Sequence, residues 1–360
     1  MNRFWKLSGL LVVSLSLIAT SFADNTDELD RIDRMIRNSN WEKAGKAIEK
    51  ILHQDPDNGR AWHSLSLVRI QQGDNKGAFE AATKSSNYPR FKASSLYNLA
   101  CFHAMKGEKE QAWAVLQKAL AAGWQDYDHM QGDNDLKSIR DRISFPRKHE
   151  YRSLKHGSVT LQYRVVLPKN YNAKKTYPAM VLMPSGRQQQ GAMDWAISNL
   201  LGESAENSDW IVLCPLAPST SWYTHPAHHA LNAVMDHVRD EYKIGGKYHL
   251  VGWGSGGAPA NTYSNMSRSY FQSLTILSSY TWSYSDDRNI SRIKMPVNLI
   301  VGAKDAYGVK LYKQTKKRMD SEKVKASLTI LPDDAYVLNS LMGAKFFQQM
   351  NRLTGNGPSS

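Results

Sequence analysis

The sequence predicts an α/β protein, with a doubly wound and mostly parallel sheet preceded by an all-α helical array. Three observations point there. Small and apolar residues recur every 34 positions in the first third; short apolar runs alternate with helical stretches in the remainder; and one of those runs ends in a glycine-framed turn, HLVGWGSGG at 249–257. The first is the signature of stacked helix pairs, and the second that of strands buried on both faces by crossover helices.

Before either region stands a leader. Arg3 and Lys6 precede an apolar run from Leu10 to Ala19, followed by Ser21-Phe22-Ala23. This is the layout of a secretory signal, so cleavage after Ala23 and export to the periplasm or beyond are expected. No later run approaches the ~20 apolar residues of a spanning helix, so no integral membrane segment is expected. The formal charge of +13 falls to +11 once Arg3 and Lys6 leave with the signal. The basic residues are spread out, with one denser stretch, KQTKKRMDSEKVK at 313–325, that suits a solvated helix face and gives weak attraction to anionic surfaces. Nucleic acid is not an expected partner for an exported chain. Cys101 and Cys214 sit in apolar surroundings and read as buried free thiols.

The repeats come next. Ala44, Ala78 and Ala112 share the 34-residue period; Ile48, Ala82 and Leu116 follow each by four, and Leu65 pairs with Leu99, as Gly73 does with Gly107. Small alanines allow close helix packing, glycines turn the chain between helices, and Pro56 falls where a helix should stop. The pattern resembles the tetratricopeptide repeat, with the helical region expected over 24–144 and units near 25–58, 59–92 and 93–126. Three units are about the minimum for such a stack to bury its own faces. The resemblance implies either a groove for a protein or peptide partner or an array that docks on the domain that follows.

After the basic hinge FPRKHEYR (145–152), a domain is expected over 151–353, with a flexible tail at 354–360. VTLQYRVVL at 159–167 alternates like a strand. Continuous apolar runs follow at 179–183, 210–214, 248–252, 274–278, 297–301 and 327–331. Helices are expected near 192–206, 226–243, 256–268, 308–322 and 337–352.

With a strand before it and a helix after it, the turn at 252–256 resembles the nucleophile elbow of the α/β-hydrolase fold, in its esterase or depolymerase-like branch. Gly252 and Gly256 frame it, but the nucleophile's own position is Gly254. Ser255 stands one step later, and making it the apex would put Trp253 where strand and helix must close on each other. The resemblance implies an acid after a late strand, which VNLIVGAKD supplies as Asp305, and a histidine after the last strand, where LTILPDDAYVL has Tyr336. The final histidine of the chain is His249, so none can complete a triad in the family's order. Serine attack requires a base to take the hydroxyl proton. The expectation is therefore a degenerate hydrolase that binds a ligand or protein; the alternative is an esterase using Ser255 with a displaced histidine.

In open α/β sheets ligands bind at the C-terminal ends of the strands. Ser185, Trp222, Tyr223, His225, Trp253, Ser255, Trp282 and Tyr307 are the candidates for lining a cleft there, with Tyr280 and Tyr284 beside them. Stacking rings with polar tips suit a small-molecule or glycan ligand, or else fill the space of missing catalytic groups. His225, His228 and His229 form a cluster with a spacing that can bind a metal, but no second ligand pair accompanies them. No cofactor and no metal are assigned.

Overall fold

The computed structural model describes residues 28–146, 148–186, 189–218, 222, 224–280 and 290–355. The signal at 1–23, Tyr223, Trp282, Tyr284 and the tail beyond Gly355 lie outside them. The chain divides into two compact units, the first ending at Ala119 and the second beginning at Leu120.

The first unit is all helical. A helix over 28–37, α1, is followed by α2 (Trp41–Gln54), α3 (Gly59–Gln71), α4 (Asn75–Ser85), α5 (Pro89–Met105) and α6 (Lys109–Ala121). The helices opening at Trp41, Asn75 and Lys109 stand 34 residues apart, which is the period of the alanines. Ala44, Ala78 and Ala112 are fully buried, as are Ile48, Ala82 and Leu116. Asn58 caps α3 by accepting the Ala61 N–H, and Asp74 caps α4 by accepting that of Gly77. Each cap satisfies a backbone donor that the first helical turn leaves open. Gly73 and Gly107 close the preceding helices at φ of 74° and 78°, a region that glycine enters without steric cost.

The second unit is built on an eight-stranded sheet. Its strands are β1 (Arg152–His156), β2 (Val159–Val166), β3 (Ala179–Met183), β4 (Ile211–Pro215), β5 (Tyr248–Trp253), β6 (Phe271–Leu277), β7 (Val297–Gly302) and β8 (Ala326–Leu331), in the order β1-β2-β4-β3-β5-β6-β7-β8. The β1–β2 and β2–β4 pairings are antiparallel and every other pairing is parallel. All the expected strands form. β1 adds one that periodicity did not mark, because four of its five residues are exposed and no apolar alternation announces it.

Two cores follow from the two-residue period of the strands. Ala179, Val181 and Met183 of β3 face one side with Leu250 of β5 and Leu299 of β7, while Met180 and Leu182 face the other with Val251 and Trp253. On the first side lie α9 (His225–Glu241), α10 (Gly257–Met266) and α11 (Ala306–Ser321). On the second lie α8 (Gln190–Trp195), a π-helical turn at Ala196–Leu201, and α12 (Ala344–Thr354). The helix expected over 337–352 is shorter at its start: a 3₁₀ turn at Asn339–Leu341 precedes it, tied by the Ser340 N–H and hydroxyl donating to Asp334.

The segment after α6 belongs with the sheet. A short helix, α7 (Tyr127–Gly132), and a 3₁₀ helix at Asn134–Arg142 fall in the second unit, so the division comes before residue 144. The reason is visible in the bonds: the Asp128 carboxylate accepts the Gly191 N–H at 2.7 Å at the start of α8. Leu136 and Ile139 are fully buried. Both fall in the second unit, although the sequence placed them with the helical region.

His249 carries a pH dependence built into this core. Its Nδ1 meets Ser273 Oγ at 2.6 Å and its Nε2 meets the Gln272 amide nitrogen at 2.8 Å. Nε2 therefore accepts and Nδ1 donates, which is the neutral ring. Burial pushes the imidazole down from 6.5 to about 4. A depressed histidine favours the folded state fully above pH 6.5, and this contribution is lost as pH falls toward 4, by roughly 2 kcal/mol at pH 5. Urea unfolding at pH 7 and pH 5 should show the wild type losing about that much more than His249→Gln.

Candidate functional site

The glycine-framed turn is a strand-to-helix elbow. β5 runs to Trp253, a 3₁₀ turn spans Gly254–Gly256, and α10 opens at Gly257. Gly254 has φ of 53°, the left-handed conformation in which L side chains cost about 1–2 kcal/mol. The framing glycines are dictated by contact. A Cβ on Gly252 would stand 2.7 Å from the Ala260 Cβ and from the Gly256 carbonyl oxygen, and one on Gly256 would strike the Met183 and Pro184 carbonyls. Strand, helix and the chain leaving β3 close on one another here, so the apex is Gly254 and not Ser255.

What surrounds the apex is polar and tightly packed. A Cβ on Gly254 would meet the Tyr336 hydroxyl at 2.5 Å and the Ser185 Cβ at 2.8 Å, with the Ser185 hydroxyl nearer still. Ser185 is buried and hydrogen-bonded to Tyr336. The two side chains thus occupy the space into which a side chain at the apex would project. Tyr336 reaches the site because Gly302, at the end of β7, lets the Asp334 and Ala335 carbonyls pass where a Cβ would strike them. On its far side the ring lies against Gly123, at φ of 100°, whose missing Cβ leaves room for Tyr336 Cε1 and Cδ1. Burial is the main cause that pushes the Tyr336 phenol up to about 12. At neutral pH it keeps its proton and is no base.

Ser255 is exposed and donates its hydroxyl to the Gly186 carbonyl. A backbone carbonyl orients that proton without being able to remove it. Asp305 closes β7 as expected, and its carboxylate has structural partners. Oδ1 accepts the Gly308 N–H at 2.9 Å as the N-cap of α11, and Oδ2 accepts the Tyr280 hydroxyl at 3.0 Å. Gly308 is needed because a Cβ would collide with that carboxylate. The Tyr280 ring packs 5.4 Å from Tyr336 and 5.2 Å from Tyr307, and burial, with the nearby Asp305 charge, raises its phenol strongly. Asp305 and Tyr336 are thus linked through Tyr280, which bonds the one and packs at a tilt on the other.

The expected cleft residues separate. Ser185, Ser255 and Tyr307 stand at the elbow's end of the sheet, Tyr307 exposed beside Tyr280. Trp222 and Trp253 do not line a cleft. Trp253 is 1% exposed and packs on Trp195 at 5.0 Å, on the second face of the sheet. Its outward reading fails because strand alternation turns residue 253 into the core. Trp222 is 4% exposed and meets the Tyr263 ring edge-on at 5.6 Å. His228 is also buried, 4.2 Å from Tyr263, and burial lowers its basicity. His225 and His229 are exposed on the first turns of α9, with ring centroids 6.3 Å apart. Among the described residues the three histidines do not gather ligand atoms within 4.8 Å of one another. Cys101 and Cys214 are buried free thiols.

Gly123 and Gln125 are the residues that sequence reasoning missed. The Gln125 carbonyl stands 3.3 Å from where a Cβ of Gly186 would be, so the chain at 123–128 lies over the loop that leaves β3. Nothing local in the sequence distinguishes Gly123 from an ordinary turn glycine.

Neither a family model nor a curated protein sequence matches the chain. Solved structures resemble it. A candidate dipeptidyl aminopeptidase IV from Bacteroides ovatus has a TM-score of 0.44 at 15% identity, over 62% of this chain and 37% of that one. A thermostable esterase has a TM-score of 0.38 at 20% identity, over 51% and 54%. Dienelactone hydrolase from Anabaena variabilis has a TM-score of 0.43 at 14% identity, over 59% and 99%. The chain thus spans between a third and a little over half of the length of the first two. The eight-stranded, mostly parallel sheet with helices on both faces is an α/β fold. No helix among the described residues is long and apolar enough to cross a membrane.

Two substitutions test this geometry. Gly254→Ala combines a left-handed alanine with a clash against Ser185 and Tyr336, and should lower unfolding free energy by roughly 2–5 kcal/mol in denaturant titration. Asp305→Ala removes a cap and leaves the Tyr280 hydroxyl without its acceptor, a loss of roughly 2–4 kcal/mol, whereas Asp305→Asn should lose less.

Proposed function

We propose that this chain is an exported binding protein: a tetratricopeptide array joined to an α/β-hydrolase-like domain that does not carry out serine hydrolysis. The observation that carries the reading is the filled apex. Gly254 offers no nucleophile, and Ser185 with Tyr336 takes up the space one would use. Each group that hydrolysis would require has other work. Asp305 caps a helix, Tyr336 is a protonated phenol, and Ser255 faces a carbonyl. A covalent acyl transfer needs a nucleophile, a base within hydrogen-bond reach and an orienting acid together. Here only the acid remains.

Binding falls to the surfaces that this leaves open. The 34-residue spacing of the helix starts supports a repeat array whose groove takes a protein or peptide. The aromatic rim near Tyr307 supports a small-molecule or glycan ligand at the sheet's C-terminal edge. The leader supports export, with the work done in the periplasm or outside.

A fluorophosphonate probe tests the central point. No covalent labelling is expected at pH 7–8, and none should appear in Gly254→Ser, because no base stands by. Stoichiometric labelling of the wild type that disappears in Ser255→Ala would overturn the proposal and establish a rewired esterase.

A further inference from the structure

We propose that a second cavity, between β2 and the π-helical turn at Ala196–Leu201, is a binding site for a small amphipathic organic monocarboxylate, with Arg164 as the anion receptor. This site stands independently of the elbow. The cavity is lined from β2 and the elbow follows β5, with β4 and β3 between those strands in the sheet.

The cavity encloses about 540 Å³, room for a molecule of several carbon atoms. Val166, Ile197 and Ala205 supply buried apolar walls. Arg164 projects into it from β2, because residue 164 shares the face of Val166 and not that of the fully core Leu161 and Tyr163. The guanidinium is half-buried, and its Nε is fully enclosed without an acceptor. Asp194 is the carboxylate it feels, but Asp194 accepts instead from the His149 N–H at 3.2 Å and the Tyr151 hydroxyl at 3.1 Å. A guanidinium whose Nε has no acceptor, and whose other nitrogens can meet a planar two-oxygen anion, suits a carboxylate.

The other polar groups narrow the ligand. Ser198 Oγ, 3.2 Å from His149 Nε2, gives a hydroxyl donor on the wall, and Lys169 adds a cation at the rim. Glu203 and Glu206 are exposed at the same rim. Two carboxylates at the mouth oppose a dianion far more than a monoanion, which disfavours phosphate. The apolar walls reward a ligand with a hydrocarbon body.

The test is ligand-observed NMR titration of the full mature chain with benzoate and hexanoate, against benzamide and inorganic phosphate. At least one carboxylate should bind saturably, and about ten-fold or more tighter than either benzamide or phosphate, in keeping with a charge-assisted bidentate pair. Arg164→Gln should weaken binding by about ten-fold and Lys169→Gln by about three-fold. Should Arg164→Gln fail to fold by circular dichroism, Lys169→Gln together with Ala205→Leu, which fills the cavity, decides the matter. Absence of saturable binding by both carboxylates, equal binding of benzamide, phosphate as tight as the carboxylates, or unchanged affinity in a folded Arg164→Gln would each overturn the assignment.

Discussion

The close approach of three backbones at the elbow governs the rest of the sheet domain. β5, α10 and the chain leaving β3 come so near that Gly252 and Gly256 have no space for a side chain, and the turn between them passes through φ of 53° at Gly254. In such a turn a nucleophile would be strained by about 1–3 kcal/mol. Glycine removes that strain. The volume released is taken by Ser185 from one loop and Tyr336 from another, so the edge of the sheet where chemistry would be done is packed instead of open.

That packing reassigns the neighbouring polar groups. A buried carboxylate without partners is costly, and Asp305 has two, the α11 backbone and the Tyr280 hydroxyl. Tyr280 in turn packs between Tyr307, edge-on, and Tyr336, at a tilt. The segment at 123–128, drawn over the β3 loop through Gly123 and the Asp128 carboxylate, joins the same assembly. The polar groups gathered at this edge thus find their partners within the protein.

The two units divide the physical problem. In the helical unit, stability rests on alanines that let neighbouring helices approach and on side-chain caps at Asn58 and Asp74. In the sheet domain it rests on two apolar faces that the strand period separates cleanly, with few ionisable groups inside. His249 is the instructive exception: Gln272 and Ser273 fix it as a neutral ring, which makes acid its natural adversary.

Much of this was legible in the sequence. One alternating segment and six continuous apolar runs placed seven of the eight strands, the 34-residue period placed the helices of the first unit, and the steric needs of a glycine-framed turn singled out Gly254 over Ser255. Local rules sufficed there because each depends only on neighbouring residues. The resemblance of the turn to a hydrolase elbow also marked Asp305 and Tyr336 by their place after late strands. Tertiary structure alone decided the rest. It turned Trp222 and Trp253 inward, since an aromatic residue at the end of an element carries no local sign of which face it will meet. It moved 120–144 into the sheet domain, because a helical pattern does not name its packing partner. It brought Ser185, Tyr336 and Gly123 to one point from segments far apart in the chain, and it enclosed the Arg164 Nε without an acceptor; contacts of that kind are set by the closing of the whole sheet.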